Sequence, residues 1–112
     1  MQERKIETYE KRAGGKGTIH IERLIDGPQL NAHTKMFAKI TVDPHSSIGV
    51  HEHIEDTESY YILSGNGLYT DNDKTYPIQV GDLLFCDAHN RHGIENPTDE
   101  PLIFIALILV KE

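Results

Sequence analysis

The sequence predicts a single all-β domain, arranged as a sandwich or a barrel. Its apolar runs are short and are separated by glycine, proline, asparagine and aspartate, the residues that join strands by turns. Several runs alternate apolar and polar residues with the period of two that a half-buried strand shows. The 112 residues suffice for one domain with an ordinary core and not for two.

Residues 1–17 are expected to form an N-terminal arm, and residues 18–112 the β domain. The arm is rich in charge and ends in the run Ala13-Gly14-Gly15-Lys16-Gly17. Glycine at this density favours either a mobile segment or a turn into the first strand. A short amphipathic helical turn around Ile6 and Tyr9 is a further alternative.

The first three expected strands are marked by their patterns and by the turns beside them. Residues 18–25 read as a strand that ends at Asp26-Gly27-Pro28. Residues 35–42 alternate, so that Met36, Ala38, Ile40 and Val42 share one face. Residues 58–63 form the third expected strand, which the glycine-rich residues 64–67 close.

The second half of the chain continues this pattern. Residues 68–70 and 75–78 flank Asp71-Asn72-Asp73, which predicts a hairpin. The last run, residues 102–110, is apolar on both faces, and a strand covered on both sides fits it best, within a sandwich or at a subunit contact. Two short strands are expected in between, at residues 83–86 and 93–95.

Charge and composition exclude several classes of protein. The formal net charge is −7, and the only basic clusters lie in the arm, so we expect no nucleic-acid partner. The single Cys86 excludes an intrachain disulfide framework and suits a reducing compartment. No apolar run reaches the length of a membrane span, and the first residues lack the apolar segment of a signal peptide. The sequence therefore predicts a cytoplasmic protein without a membrane partner.

Three histidines and one glutamate carry the clearest functional signal. His51 and His53 are two positions apart, so in a strand their imidazoles face the same side. Glu58 follows a turn-like segment that can return it to their side, and His92 is a fourth donor just past residues 83–86. Three neutral imidazoles and one carboxylate suit one divalent transition metal per chain, with Mn, Fe, Ni and Zn as candidates. A surface His-x-His pair without function is a poor explanation, because the fuller spacing with Glu58 and Gly65 would arise by chance in about three of a thousand such chains.

Two motifs built on these residues resemble the motifs of the cupins. The matching positions are His51, His53, Glu58 and Gly65 in the first motif and Gly81, His92 and Asn96 in the second. The resemblance covers about residues 34–110 and implies a cupin-type double-stranded β-helix, which is a jelly-roll-like barrel. It also implies that the three histidines and Glu58 are metal ligands inside that barrel.

The chain departs from the cupin pattern at three positions. His45 stands where the first motif has glycine, while Asp87 and His89 replace a proline and a glycine of the second. Histidine tolerates a left-handed backbone better than most side chains, so the turns can persist. His89 is therefore interpreted as a turn residue at the barrel mouth, with a role as a proton carrier next to the ligands as the alternative.

Residues on the face of Glu58 would also point into the barrel. The period of two nominates Tyr60 and Ile62 as substrate-binding residues, with Tyr60 as a hydrogen-bond donor to a bound ligand. The alternative for Tyr60 is a packed core tyrosine whose hydroxyl is satisfied within the protein.

Three functions remain open at this point. A divalent metal with three neutral histidines and one glutamate has a net charge near +1, which attracts a small anionic or chelating ligand. The favoured interpretation is a metal-dependent enzyme acting on a small carboxylate or sugar acid, and cupins are known for decarboxylase, dioxygenase and isomerase activities. The alternatives are a non-catalytic binding or sensor domain and a protein whose metal only holds the barrel together.

A homodimer is also expected. Small cupins commonly pair through sheet faces or exchanged terminal strands. The apolar residues 102–110 and the run with Ile19, Ile21 and Leu24 are consistent with such a contact.

Overall fold

A computed structural model of the chain describes residues 4–111. Within that range the chain forms β-strands and two short 3-10 turns, at Arg12–Gly14 and Gly27–Gln29, and no helix has the length and apolar character needed to cross a membrane. The strands are β1 (Ile6–Glu10), β2 (Thr18–Ile25), β3 (Thr34–Val42), β4 (Ser46–Glu52), β5 (Asp56–Ser64), β6 (Gly67–Asp71), β7 (Lys74–Ile78), β8 (Leu83–Cys86), β9 (Arg91–Asn96) and β10 (Leu102–Val110). The prediction of an all-β domain is confirmed.

Two antiparallel sheets enclose the core. The larger sheet has the order β1-β2-β3-β10-β5-β8, and the smaller has the order β4-β9-β6-β7. Apolar side chains of both sheets meet in one cluster, which includes Ile40 and Phe104 from the larger sheet and Ile48 and Ile94 from the smaller one. Side chains on the inner face of each sheet, which are every second residue of a strand, therefore point into the space between the two sheets.

The last strand occupies the middle of the larger sheet. β10 pairs with β3 on one side and with β5 on the other. Leu102, Phe104 and Ala106 have no exposed surface, whereas Ile103 and Ile105 on the outer face are half-buried. The inner face of this central strand is therefore covered by the core, whereas its outer face is only partly covered by the residues described.

The expected strand positions agree well with the structure. β2 has the predicted bounds, and on β3 the side chains of Ala38, Ile40 and Val42 are buried on one face with Met36 packed beside them. The hairpin between β6 and β7 is also confirmed, with Asp71 opposite Lys74.

The region expected to be an arm contains a strand. Residues 6–10 form β1, which pairs antiparallel with β2 from Ile6 opposite Glu22 to Glu10 opposite Thr18, so the alternative of a helical turn there is wrong. The glycine-rich residues after β1 form a turn into β2. The expectation for residues 1–3 lies outside the described part of the chain, as does residue 112.

Asn96 joins three segments inside the protein. Its side chain has no exposed surface, and its Nδ2 donates to the carbonyl oxygens of Val42 at 3.0 Å, Asp43 at 3.2 Å and Glu100 at 2.7 Å. Its Oδ1 accepts from the backbone N–H and the hydroxyl of Thr98, at 3.0 and 2.8 Å. Asn96 therefore fixes the end of β9 to the end of β3 and to the turn before β10.

We expect Asn96→Ala to lower the free energy of unfolding by about 2–4 kcal/mol, because buried carbonyl groups lose their donor. Urea denaturation followed by circular dichroism measures the change. Asn66→Ala, an exposed asparagine in the β5–β6 turn, is the matched control and should change stability by less than about 0.5 kcal/mol. Equal effects of the two substitutions would contradict this role for Asn96.

Candidate metal centre

Elements of both sheets bring the four predicted donors together. His51 is the second-last residue of β4, His53 follows that strand directly, Glu58 lies on β5 and His92 on β9. His51 and His92 are directly opposite in the β4–β9 pair, and the register of that pair shifts between Ile48 and His51. His53 is held beyond the end of β4 because its backbone N–H donates to Asn90 at 3.0 Å and its carbonyl accepts from the N–H of His89.

The donor atoms of this cluster converge on one point. The Nε2 atoms of His53 and His92 each lie 3.0 Å from Glu58 Oε1, and His51 Nε2 lies 4.0 Å from the same oxygen. The two Nε2 atoms of His53 and His92 are 3.0 Å apart. All four donor atoms lie within 4.8 Å of one another, and all but His51 are buried. The cluster could therefore hold a metal ion.

Each imidazole is oriented through its other nitrogen. His51 Nδ1 donates to the carbonyl oxygen of Gly49 at 2.8 Å, and His53 Nδ1 lies 2.6 Å from Asp56 Oδ1. The Tyr69 hydroxyl is 2.8 Å from His92 Nδ1. Because a carbonyl or a carboxylate can only accept, the Nδ1 atoms of His51 and His53 carry protons. Their Nε2 lone pairs are then free to face a cation, which is the usual arrangement of metal-binding histidines.

The charges in the cluster respond to burial and to hydrogen bonds. Burial alone would raise the pKa of Glu58, but its hydrogen bonds with His53 and His92 outweigh that effect and lower it. The hydrogen bond to Glu58 raises the pKa of His53, whereas desolvation lowers the pKa of His51. A proton between His53 and Glu58 thus satisfies the site without metal, and a metal must compete with that proton.

The donor set fits a divalent transition metal. Imidazole nitrogen suits Zn, Cu, Fe and Ni, whereas Ca and Mg take oxygen ligands almost exclusively. Cys86 is buried on β8 outside the cluster, and burial raises the pKa of its thiol to about 11, so it is not a competing thiolate ligand. The three nitrogens and one oxygen do not select one element.

A pocket of about 430 Å³ opens beside the cluster, between the sheets. Its walls are largely apolar and include Ile19, Ile21, Met36, Ile40, Ile48 and Ile108. Three of the predicted ligands also line it: His51, His53 and Glu58. A small molecule in this pocket would therefore reach the donor cluster while the apolar walls shield it from water.

Of the two nominated substrate-binding residues, one lines the pocket. Glu58, Tyr60 and Ile62 share the buried face of β5, as the period of two predicts. The Tyr60 ring lines the pocket and stacks on His92 with ring centroids 5.0 Å apart, and burial holds its pKa well above the usual range. Ile62 is fully buried but is not among the residues that line this pocket.

The structure places the imidazole of His89 outside the cluster. His89 is exposed at a φ of 69° and lines a separate shallow depression with Ile54 and Lys111. It is the backbone N–H of His89, bonded to the carbonyl of His53, that touches the site. His45 is also remote, since its ring pairs with the exposed Asp99 at 2.6 Å.

Sequence reasoning did not identify the groups that orient the histidines. Asp56 lies three residues after His53, at the first position of β5, a spacing that could have nominated it. Tyr69 alternates inward on β6, but only the pairing of β6 with β9 brings it to His92. Arg12 lines the pocket from the turn after β1, and no local pattern in the sequence predicts that.

Comparison with known proteins gives one family. The Cupin domain family (Cupin_2) matches residues 38–108. A Thermotoga maritima protein named oxalate-binding protein is 38% identical over 97 residues, which cover 87% of this chain and 80% of the relative.

Solved structures agree with that result. The crystal structure of a Thermotoga maritima protein described as a predicted oxalate decarboxylase superposes with a TM-score of 0.92 at 36% identity, covering 96% of this chain and 94% of the other. A cupin-2 domain protein from Rhodospirillum rubrum gives a TM-score of 0.78 at 17% identity, covering 97% of this chain and 71% of the other, which shows likeness of fold alone.

We expect Asp56→Asn to weaken metal binding about 10- to 100-fold, because an amide holds His53 Nδ1–H less firmly than a carboxylate. Competition with a chromophoric chelator measures the affinity. Asp99→Asn is the matched control, since it also removes a carboxylate from a histidine, the exposed His45, and should leave the affinity unchanged. The orienting role of Asp56 is refuted if the two variants bind metal equally well.

Proposed function

Because the chain belongs to the cupin domain family, we propose that it binds one divalent transition metal through His51, His53, Glu58 and His92 and holds a small carboxylate beside that metal. The observation that carries the proposal is that three imidazoles converge on one buried carboxylate. Each imidazole is oriented by a hydrogen bond at its Nδ1 atom. The similarity of this chain to a relative named oxalate-binding protein supports a ligand of the oxalate class.

Charge explains why a carboxylate would be attracted. A divalent metal beside one carboxylate and three neutral imidazoles leaves a net charge near +1 at the wall of an apolar pocket. When bound, the metal supplies Lewis-acid attraction for ligand oxygens. The chain itself contributes the largely apolar pocket walls and the fixed orientation of the histidines.

The second candidate function is a metal-dependent enzyme of the decarboxylase, dioxygenase or isomerase type. The position of Tyr60 at the pocket favours it. Loss of carbon dioxide from a carboxylate leaves a carbon that must take up a proton. Among the described residues that line the pocket, Tyr60 carries the one hydroxyl group and is the candidate donor of that proton. The pocket wall holds no carboxyl group besides Glu58, which is why binding is ranked before catalysis.

We expect protein purified without a histidine tag to hold about one divalent transition metal per chain and to bind oxalate only when metal-loaded. Elemental analysis and isothermal titration calorimetry measure the two properties. The double variant His51→Ala, His53→Ala should lose both while its β circular dichroism persists.

The control double variant is His20→Ala, His45→Asn, which removes two imidazoles that pair with carboxylates away from the pocket. It should keep metal and oxalate binding. Absence of metal from the wild type after reconstitution would refute the proposal. Carbon-13 NMR of labelled oxalate then separates the candidates: unchanged oxalate supports a binding protein, and formate with carbon dioxide supports a decarboxylase.

The homodimer remains a proposal, and the structure suggests a different surface for it. Ile19 and Ile21 are buried inside the barrel and are unavailable to a partner. Exposed apolar side chains lie instead on the outer face of β5 and the edge strand β8, where Tyr61 is 47%, Leu83 68% and Phe85 56% exposed. An apolar surface of this kind is typical of a protein contact.

We expect the double variant Leu83→Glu, Phe85→Glu to convert a dimer to a monomer, because two charges would be buried at the contact. Sedimentation velocity at tens of micromolar concentration gives the mass. Ile6→Glu is the control, since Ile6 is 58% exposed on β1 at the opposite edge of the same sheet. A monomeric wild type would contradict the dimer, and a dimeric double variant would exclude this face.

A further inference from the structure

The pocket contains one cationic side chain that the proposed metal site does not use. Arg12 lines the same pocket as His51, His53 and Glu58. Among the residues described for this pocket it is the only lysine or arginine, and most of the remaining wall is apolar. Arg12 is itself exposed, so its charge is accessible to an anion that enters the pocket.

The turn that carries Arg12 is fixed against β4. A Cβ added to Gly49 would collide with the carbonyl oxygen of Ala13, and one added to Gly15 would collide with the carbonyl of Ser47. Hydrogen bonds join the same surfaces: Ser47 N–H donates to Lys16 O at 2.8 Å, and Lys16 N–H donates to Ser47 Oγ at 3.0 Å. The residues that follow Arg12 are thus packed directly on β4.

The backbone on both sides of Arg12 is in an uncommon conformation. Lys11 has φ 52° and ψ 42°, and Ala13 has φ 53° and ψ 34°, both in the left-handed region. Each such residue costs about 1–2 kcal/mol. The packing of the turn on β4 maintains this conformation, and with it the position of Arg12 at the pocket.

The guanidinium group of Arg12 is held in place without an ion pair. Its Cζ lies 4.3 Å from the centroid of the Tyr9 ring, and within residues 4–111 no carboxylate pairs with it. Tyr9 packs against the core, and its hydroxyl donates to Glu7, which in turn pairs with Arg23 at 2.6 Å. The aromatic contact is weak compared with a charge-assisted hydrogen bond, so a ligand carboxylate can recruit this guanidinium.

We propose that Arg12 is a specificity-determining residue that binds a second anionic group of the ligand while the first carboxylate lies at the metal centre. This inference rests on the proposed function. The ligand class is then a small dicarboxylate whose two ends are separated by a short chain. A metal centre with a net charge near +1 and one guanidinium together match two negative charges.

The size of the pocket supports a ligand longer than oxalate. A volume of about 430 Å³ lies in the range of sites for organic ligands much larger than oxalate. Apolar side chains that line the same pocket, such as Ile21 and Ile40, would contact the connecting chain. Such a ligand would contact both the metal centre and Arg12, whereas oxalate would contact the metal centre alone.

A matched pair of ligands tests this directly. 2-Oxoglutarate and 2-oxopentanoate present the same keto acid to the metal and have chains of equal length, but only the first has a distal carboxylate. Titration calorimetry on metal-loaded protein should give a wild-type preference for 2-oxoglutarate of about tenfold or more. Arg12→Gln should reduce that preference to near one without changing the metal content or the melting temperature.

Lys11→Gln is the matched control, because it removes a neighbouring charge from the same turn that does not line the pocket. It should keep the wild-type preference. Equal affinities of the two ligands for the wild type, or equal preferences in the two variants, would overturn the role of Arg12 while leaving oxalate and metal binding intact. Failure of the wild type to bind oxalate or any of these acids would refute the proposed function itself.

Discussion

The structure depends on the burial of one carboxylate among three imidazoles. Glu58 is only 3% exposed, and a charge at that depth is costly unless cationic or donor groups surround it. The barrel provides these groups from β4, from His53 just after it and from β9, and it also provides the partners that fix each ring. Loss of any one orienting contact would leave an imidazole free to rotate beside an uncompensated charge. The apolar core around the site makes the electrostatic arrangement strong, because few competing dipoles of water reach it.

Much of this site could be predicted from sequence because its information is local. A spacing of two places His51 and His53 on one side of the chain, and the same rule puts Tyr60 on the face of Glu58. The orienting residues could not be predicted, because Tyr69 reaches His92 only through the pairing of β6 with β9. The same holds for β1, a short and highly charged segment whose strand conformation depends on pairing across a glycine-rich turn. The start of β4 could not be predicted either, because serine and glycine, which are frequent in that strand, have a low preference for β structure.

The three departures from the cupin pattern show how turns persist after a glycine or a proline of the motif is lost. His45 and His89 occupy glycine positions of the motifs and have φ values of 57° and 69°. The backbone has therefore kept the left-handed conformation, and histidine adopts it at a modest energetic cost. Asp87 stands at a proline position of the motif. Its carboxylate accepts a hydrogen bond from the backbone N–H of Ala88 at 2.8 Å and pairs with the ammonium group of Lys111 at the same distance. Local polar contacts here replace the rigidity that a proline ring would give.

The close contact between the turn after β1 and strand β4 has a consequence for how this lineage can diversify. Two glycines, Gly15 and Gly49, allow the two backbones to touch, and neither position tolerates a side chain without moving the turn. A homologue that has lost either glycine must route its turn elsewhere and present a different residue to the cavity. Gly49 lies on β4, and its carbonyl accepts from His51 Nδ1, so a change there also reaches the donor cluster, whereas Gly15 lies outside the strands that carry the donors. A sequence that keeps both glycines is therefore expected to keep this turn, and with it the position from which the turn presents a side chain to the cavity.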